Sequence, residues 1–202
     1  YKISNNKKSK IDLSLFTFTK QDGGIRRVIL IENQYFALIS KKKFECLYLS
    51  LINLKNGKDI IKSKCLPDPK GADFAGVGGA YIIIGDKIFL TIGAPEHDAP
   101  EIAELAQSNE FIFGKILYLS KKSLLNHDNE KVAYKIFSSG HRNPQGLIYS
   151  NKNIFSLEHG PQGGDELNKI IEGKNYGWPI ASYGTKYNNA ASYASSHSEL
   201  GY

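Results

Sequence analysis

The sequence predicts an all-β fold made of short antiparallel hairpins that recur along the chain. Apolar runs of four to seven residues, rich in Ile, Leu, Tyr and Phe, alternate with Asn, Gly, Asp and Lys, the pattern of strands joined by tight turns. Two hairpin-like segments also share their punctuation. Gly79 and Gly93 bracket one and Gly146 and Gly160 the other, each pair 14 residues apart and the copies offset by 67. Self-similarity at a period of tens of residues in a strand-rich chain points to a β-propeller or another β repeat.

Taken in order, residues 1–20 are expected to be irregular, and the polar stretch from Ser4 to Lys10 most clearly so. The first hairpin is Val28 to Ile31, a Glu32-Asn33 turn, then Tyr35 to Ile39. The second is Tyr81 to Ile84, Gly85-Asp86, then Ile88 to Ile92. Pro100 to Gln107 is the one segment that reads as helix. The third hairpin is Leu147 to Tyr149, Ser150 to Asn153, then Ile154 to Leu157. Past Trp178 the chain turns to Ser, Ala, Tyr and Asn, so residues 180–202 read as a long surface loop at a truncated end. A propeller at this spacing needs more chain than 202 residues, so three or four blades of one domain are expected. The chain has no Met and opens on Tyr1, which reads as a processed chain or an internal fragment.

Lys plus Arg number 26 against 20 Asp plus Glu, a formal charge of +6. The excess sits in clusters such as Lys7-Lys8, Lys41-Lys42-Lys43 and Lys121-Lys122, without the aromatic interleaving of a nucleic-acid face. A solvated surface is the expected reading, with attraction of anionic partners the lesser one. No apolar run approaches the roughly 18 residues of a membrane span, so this portion is expected to be soluble. Cys46 and Cys65 are read as a buried thiol pair or a structural disulfide across neighbouring strands, since two thiols alone make no metal site.

The residues that carry chemistry cluster between Gly140 and Asn168. Arg142 and Asn143 precede a strand, at the loop end where propellers usually present ligands. Arg offers a planar fork of donors suited to a carboxylate, and Pro144 stiffens the turn. Anion recognition and a structural salt bridge both fit this pair. The segment Glu158 to Asn168 holds Gly160-Pro161 and Gly163-Gly164 before Asp165-Glu166. Outward-turned carbonyls and carboxylates are the ligands hard cations prefer, while a solvated Gly-Pro loop is the plainer reading. His141 and His159 read as orienting hydrogen-bond partners and Trp178 as a packing anchor.

Together these segments resemble the glucose/sorbosone dehydrogenase family. The resemblance rests on GHRNPQGL (140–147), EHGPQGGDELN (158–168) and GKNYGWP (173–179), followed by Tyr183-Gly184 and Tyr187. Weaker similarity reaches back through GKILYL (114–119) and GGAYIIIGDKIFLTIG (78–93). It implies a six-bladed β-propeller that holds pyrroloquinoline quinone (PQQ), a tricarboxylate, with Ca²⁺ polarising the quinone carbonyl. Carried over by position, Arg142, Asn143 and Tyr187 would bind the quinone. The carbonyls of Gly160 and Pro161 would ligate the active-site Ca²⁺, and Glu166 with the carbonyl of Tyr176 a second, structural one. The implied substrate is a sugar or polyol, the electron acceptor stays open, and the expected location is extracytoplasmic.

One position departs from the family. Its catalytic base is a His in a His-x-Gly-Gly segment, and alignment on Gly78-Gly79 puts Gly76 there, within Phe74-Ala75-Gly76-Val77-Gly78-Gly79. The following strand normally ends in Gly-Asp, whereas Ala94 follows Gly93 here. Asp73 and His97 are the nearby candidates for a substitute base. The sequence thus leaves open an oxidoreductase and a non-catalytic binding module of the same family.

Overall fold

The computed structural model describes residues 2–4, 7–9, 12–13, 17–66, 73–94, 100–127, 132–193 and 197. Within them, β1 (Lys2–Ser4) pairs with β2 (Lys7–Ser9), a short antiparallel ladder in a stretch expected to be irregular. The ladder needs only backbone groups, so the polar composition that suggested a loop does not exclude it. The remaining described strands form three antiparallel meanders, each in chain order. The first sheet is β3 (Ile25–Ile31), β4 (Gln34–Lys43), β5 (Cys46–Asn53) and β6 (Asp59–Lys62). The second is β7 (Gly78–Ile84), β8 (Lys87–Ile92), β9 (Lys115–Ser120) and β10 (Tyr134–Ser139). The third is β11 (Pro144–Ser150), β12 (Asn153–Glu158) and β13 (Glu166–Ile170).

All three expected hairpins form, with Ile31 opposite Gln34, Ile84 opposite Lys87 and Ser150 opposite Asn153. Asn151 and Lys152 both have positive φ, the backbone of a type I′ turn whose twist matches that of the flanking strands. The helix expected over 100–107 is α1 (Pro100–Glu104) continued by a 3₁₀ turn, Leu105–Gln107. A second helix, α2 (Lys121–Leu125), has no counterpart in the sequence reading. It is one turn long, too short for periodicity to reveal, and is started by Ser120, whose side chain accepts from Ser123 N at 3.1 Å.

The first strands of the sheets lie against one another, β3 beside β7 and β7 beside β11. The middle sheet is therefore covered on both faces. Successive side chains on a strand point to opposite sides, so Ile88, Leu90 and Ile92 of β8 pack with Leu38, Leu49 and Leu51 of the first sheet. Phe89 and Ile116 point the other way, toward Leu147, Ile154 and Ile170 of the third. This explains why Ile88, Phe89 and Leu90 of β8 are apolar without alternation: a strand buried on both faces has no solvent side, and its buried Thr91 donates to Pro144 O.

The β5–β6 ladder continues past β6, with Ser63 N on Leu49 O and Leu66 N on Leu47 O. That register carries Cys65 opposite Cys46, and the two form a disulfide with Cα atoms 5.1 Å apart. Lys115, the first residue of β9, is fully buried. Its ammonium donates to the carbonyls of Leu105, Ala106 and Phe113 at 3.0, 2.7 and 2.9 Å. It thereby ties the end of the 3₁₀ turn to the sheet, and the Ala106 carbonyl also accepts from Gly140 N. Among the described residues no helix is long and apolar enough to cross a membrane.

Candidate functional site

The loops that leave β10 and β12 and the chain that follows β13 meet at one end of the inner strands. The link from β10 to β11 spans residues 140–143 and includes His141, which has no exposed surface. Its Nδ1 lies 2.6 Å from Glu158 Oε1, and its Nε2 lies 2.8 Å from Ser138 Oγ. The ring stacks on Tyr176 with centroids 4.7 Å apart. Both imidazole nitrogens are thus engaged inside the protein, in the supporting role expected of this residue. His159, by contrast, is exposed and lies 3.4 Å from Asp165 Oδ2.

With His141 fixed, Arg142 is aimed across the gap to the next loop. Its carbonyl accepts from Ala94 N at 2.7 Å, which pins the backbone. Its Nη1 donates to the carbonyls of Gly160 at 2.5 Å and His159 at 3.1 Å, and its Nη2 to the Tyr187 hydroxyl at 3.3 Å. The guanidinium lies 5.2 Å from the Trp178 ring centroid. Its Nε is buried and has no hydrogen-bond partner. Trp178 is the expected packing anchor: it is buried, and its indole N–H donates to Ala94 O at 2.7 Å.

Asn143 is buried with its Oδ1 committed to Gly78 N at 3.1 Å, while its backbone carbonyl accepts from His159 N. Its amide N–H groups are the part it can offer a ligand. Tyr187 is exposed and reaches the site through its hydroxyl. Pro161 packs its ring on Gly184.

Glu166, at the start of β13, is largely covered. Burial pushes its carboxyl above the ordinary range and nearby Glu158 adds to the rise, while a hydrogen bond from Asn168 at 2.8 Å opposes it. Asn168 Nδ2 also lies 3.4 Å from Glu158 Oε1 and so bridges the two carboxylates. The Tyr176 hydroxyl donates to Lys169 O at 2.6 Å and accepts from Ile171 N at 2.9 Å. Arg142, Gly160, Glu166 and Tyr176 line one narrow cleft with Gly140, Glu158, His159 and Trp178. Among the described residues no three His, Cys, Asp or Glu side chains converge on a metal position, so a cation here would depend on carbonyl oxygens.

The segment that carries Gly76 closes the same end. Gly76 has φ +68°, and a Cβ placed on Gly93 would collide with the carbonyls of both Gly76 and Arg142. Position 76 therefore lies against the Arg142 loop. Asp73 Oδ1 accepts from Ala75 N at 2.9 Å, and His97 lies outside the described residues. The sequence reading did not assign Glu158 and Asn168 their part in the site. Both lie inside the Glu158 to Asn168 motif, but their roles depend on His141 and on pairing across β12 and β13, which no local pattern encodes.

Residues 54–201 match the family model described as glucose/sorbosone dehydrogenase. The chain is 40% identical over 114 residues to quinoprotein glucose dehydrogenase B of Acinetobacter calcoaceticus, covering 51% of this chain and 24% of that protein. It superposes on the apo form of the soluble aldose sugar dehydrogenase of Escherichia coli with a TM-score of 0.65 at 22% identity, covering 87% of this chain and 55% of that one. It superposes on the PQQ-bound aldose sugar dehydrogenase of Streptomyces coelicolor with a TM-score of 0.57 at 22% identity, over 88% and 54%. The chain thus spans about a quarter of the curated relative and just over half of the solved ones.

Proposed function

The chain belongs to the glucose/sorbosone dehydrogenase family, and from that premise we propose a PQQ- and calcium-dependent sugar dehydrogenase-like protein that keeps the cofactor cradle and lacks the catalytic base at Gly76. The observation that carries this reading is Arg142, a guanidinium steered across two loops with its Nε buried and unpartnered. An orphaned charged donor beside Asn143 and Tyr187 fits a carboxylate of the quinone. The calcium positions also fit the donors present. The Gly160 carbonyl accepts from Arg142 at the cleft, and Glu166 is a carboxylate whose proton affinity is raised by burial, an environment in which a cation would favour its charged form.

In this reading Arg142, Asn143 and Tyr187 hold the quinone, and the carbonyls of Gly160 and Pro161 hold one Ca²⁺. Glu166 and the Tyr176 carbonyl hold a second ion that fixes the 158–176 segment. A quinone held there would supply a hydride acceptor, and a Ca²⁺ at the Gly160 and Pro161 carbonyls would supply Lewis acidity. Oxidising a sugar hydroxyl also releases a proton, and Gly76 has no group to accept it. Loss of a general base costs about 10²–10⁴-fold.

That absence favours a second reading, a non-catalytic module of the same family that still binds quinone and calcium. In either reading the three sheets are blades of a six-bladed propeller, of which the chain supplies three to four. The substrate class is an aldose or polyol, and the acceptor of the electrons is left unassigned. The Cys46–Cys65 disulfide supports an oxidising, extracytoplasmic setting.

Reconstitution with Ca²⁺ and PQQ, followed by dye reduction with a panel of aldoses, tests the reading. Quinone binding with turnover supports the enzyme, and binding without turnover supports the module. If Arg142→Ala binds quinone as tightly as the wild type does, the site assignment is wrong.

A further inference from the structure

Arg26, the second residue of β3, stands across β7 from the Arg142 loop. A Cβ placed on Gly79 would lie 3.4 Å from both the Cβ and the carbonyl oxygen of Arg26, and Arg27 Nε donates to Gly79 O at 2.5 Å. One residue earlier, Gly78 N donates to Asn143 Oδ1. Gly78 and Gly79 therefore have Asn143 on one side and Arg26 on the other. The segment before β3 is joined to the Gly76 segment as well, through Phe74 N on Gln21 O at 2.9 Å. These contacts bring Arg26 to the end of the inner strands that carries the cleft.

Nε and Nη2 of Arg26 are buried and have no hydrogen-bond partner. These two nitrogens form the side-on edge of a guanidinium, the pair of parallel donors that meets both oxygens of a carboxylate. Leaving such donors buried and unmet is destabilising, so the edge is poised for an acceptor. Asp22 and Asp73 act on Arg26 electrostatically and partly offset the effect of burial, but neither bonds that edge. Residues 22–27 also lie outside the segment that matches the family model.

We propose that Arg26 receives a carboxylate at the rim of the Arg142 cleft through its Nε–Nη2 edge. The proposal rests on the reading of that cleft as the quinone and sugar site. Two ligands could bring the group: the quinone, a tricarboxylate, or a sugar acid in place of a neutral sugar. Nearby Asp22 and Asp73 repel a loosely held anion, so recognition depends on the two-point geometry rather than on charge alone. Arg27, on the same strand, shares the positive charge.

Calorimetric titration of the full chain in Ca²⁺ tests this, with PQQ, glucuronate and glucose as probes. Arg26→Met is expected to weaken at least one carboxylate probe by about tenfold or more and to leave glucose unchanged. A loss confined to PQQ assigns the edge to the cofactor, and one confined to glucuronate assigns it to an acid substrate. Arg26→Lys keeps the charge without the fork and is expected to stay close to the Met variant. It also carries the comparison if Arg26→Met fails to fold, as judged by circular dichroism melting. The proposal is overturned if the wild type binds neither carboxylate, if both probes bind wild type and variants alike, or if Lys restores full affinity. Arg142→Ala in the same titration tests the quinone cradle separately, because the glucuronate arm does not depend on it.

Discussion

Glu158 reaches across from the end of β12 to hold the imidazole of His141, Oε1 to Nδ1 at 2.6 Å, with both side chains closed off from solvent. The contact joins two sheets, because Ser138, on the other side of the ring, belongs to β10. It also sets the residue immediately before Arg142, so the aim of the guanidinium depends on a carboxylate 16 positions further along the chain.

Breaking this link should destabilise the fold and disturb the cleft together. Glu158→Ala leaves a buried ring nitrogen without its partner, a loss of about 1–3 kcal/mol. A double-mutant cycle with His141→Ala, read by urea unfolding, is expected to give a coupling within the 0.5–3 kcal/mol range of contacting residues. Additive losses would show that the two residues act separately.

The disulfide is expected to matter for stability and not for the cleft. Cys46 and Cys65 are 19 residues apart, and closing a loop of that size stabilises by roughly 3 kcal/mol through the unfolded chain. Reduction, or the Cys46→Ser/Cys65→Ser pair, should lower the urea midpoint accordingly and leave quinone binding as it was. Reduced quinone affinity in a folded double variant would contradict that separation.

Lys115 gives the protein a pH dependence that can be read in isolation. Burial pushes its ammonium down from 10.5 to about 7, so between those values the unfolded chain binds more protons than the folded one. The contribution is fully present above the unfolded value and is lost as pH falls toward about 7. Stability should therefore rise with pH from about 7.5 to 9.5. Lys115→Met lacks this proton and should show a flatter profile, whatever its overall stability. Parallel wild-type and Met profiles in urea would refute the assignment.

Much of the fold was legible because the relevant patterns are local. The β11–β12 hairpin needs only alternating apolar residues and a turn, and its boundaries lie within a few residues of the reading. The α2 helix was hidden because its five residues present less than two turns of periodicity. In the site, Arg142 and Glu166 stood out through motif and residue type. The partnership of His141 with Glu158, and the approach of Arg26 to Gly79, are produced by sheets packing side by side. Arg26-Arg27 in the sequence is only a basic pair at the start of a strand. Its unmet donors exist because β7 comes to lie against it.

Glu166 should respond to substitution in opposite directions with and without calcium. Burial raises its proton affinity in the folded state, so its charge opposes folding as pH rises above the ordinary carboxylate value. Glu166→Gln removes that charge, and without calcium it should be at least as stable as the wild type near neutral pH. With calcium the order should reverse, because only the carboxylate gains a cation partner and ligand-linked stabilisation follows occupancy. Melting curves with and without chelator measure both. Equal calcium-induced shifts in the two proteins would remove Glu166 from the ligand set.

Placing an imidazole at position 76 is the most direct test of the proposed loss of a base there. Gly76 lies at positive φ, where an L-residue carries roughly 1–2 kcal/mol of strain. Gly76→His should therefore fold with a lower melting temperature. If Arg142, Gly160 and Glu166 form a working cradle, an imidazole there should raise aldose-dependent dye reduction with PQQ and Ca²⁺ by about 10²-fold or more. The gain should follow pH as an imidazole base does, appearing as pH rises through about 6.5. Gly76→Asn carries the same kind of backbone strain without a base, so it should share the stability loss and show no gain. Equal activity in the His and Asn variants would mean that position 76 does not face the reacting hydroxyl, and the proposal of a base lost at Gly76 would fall.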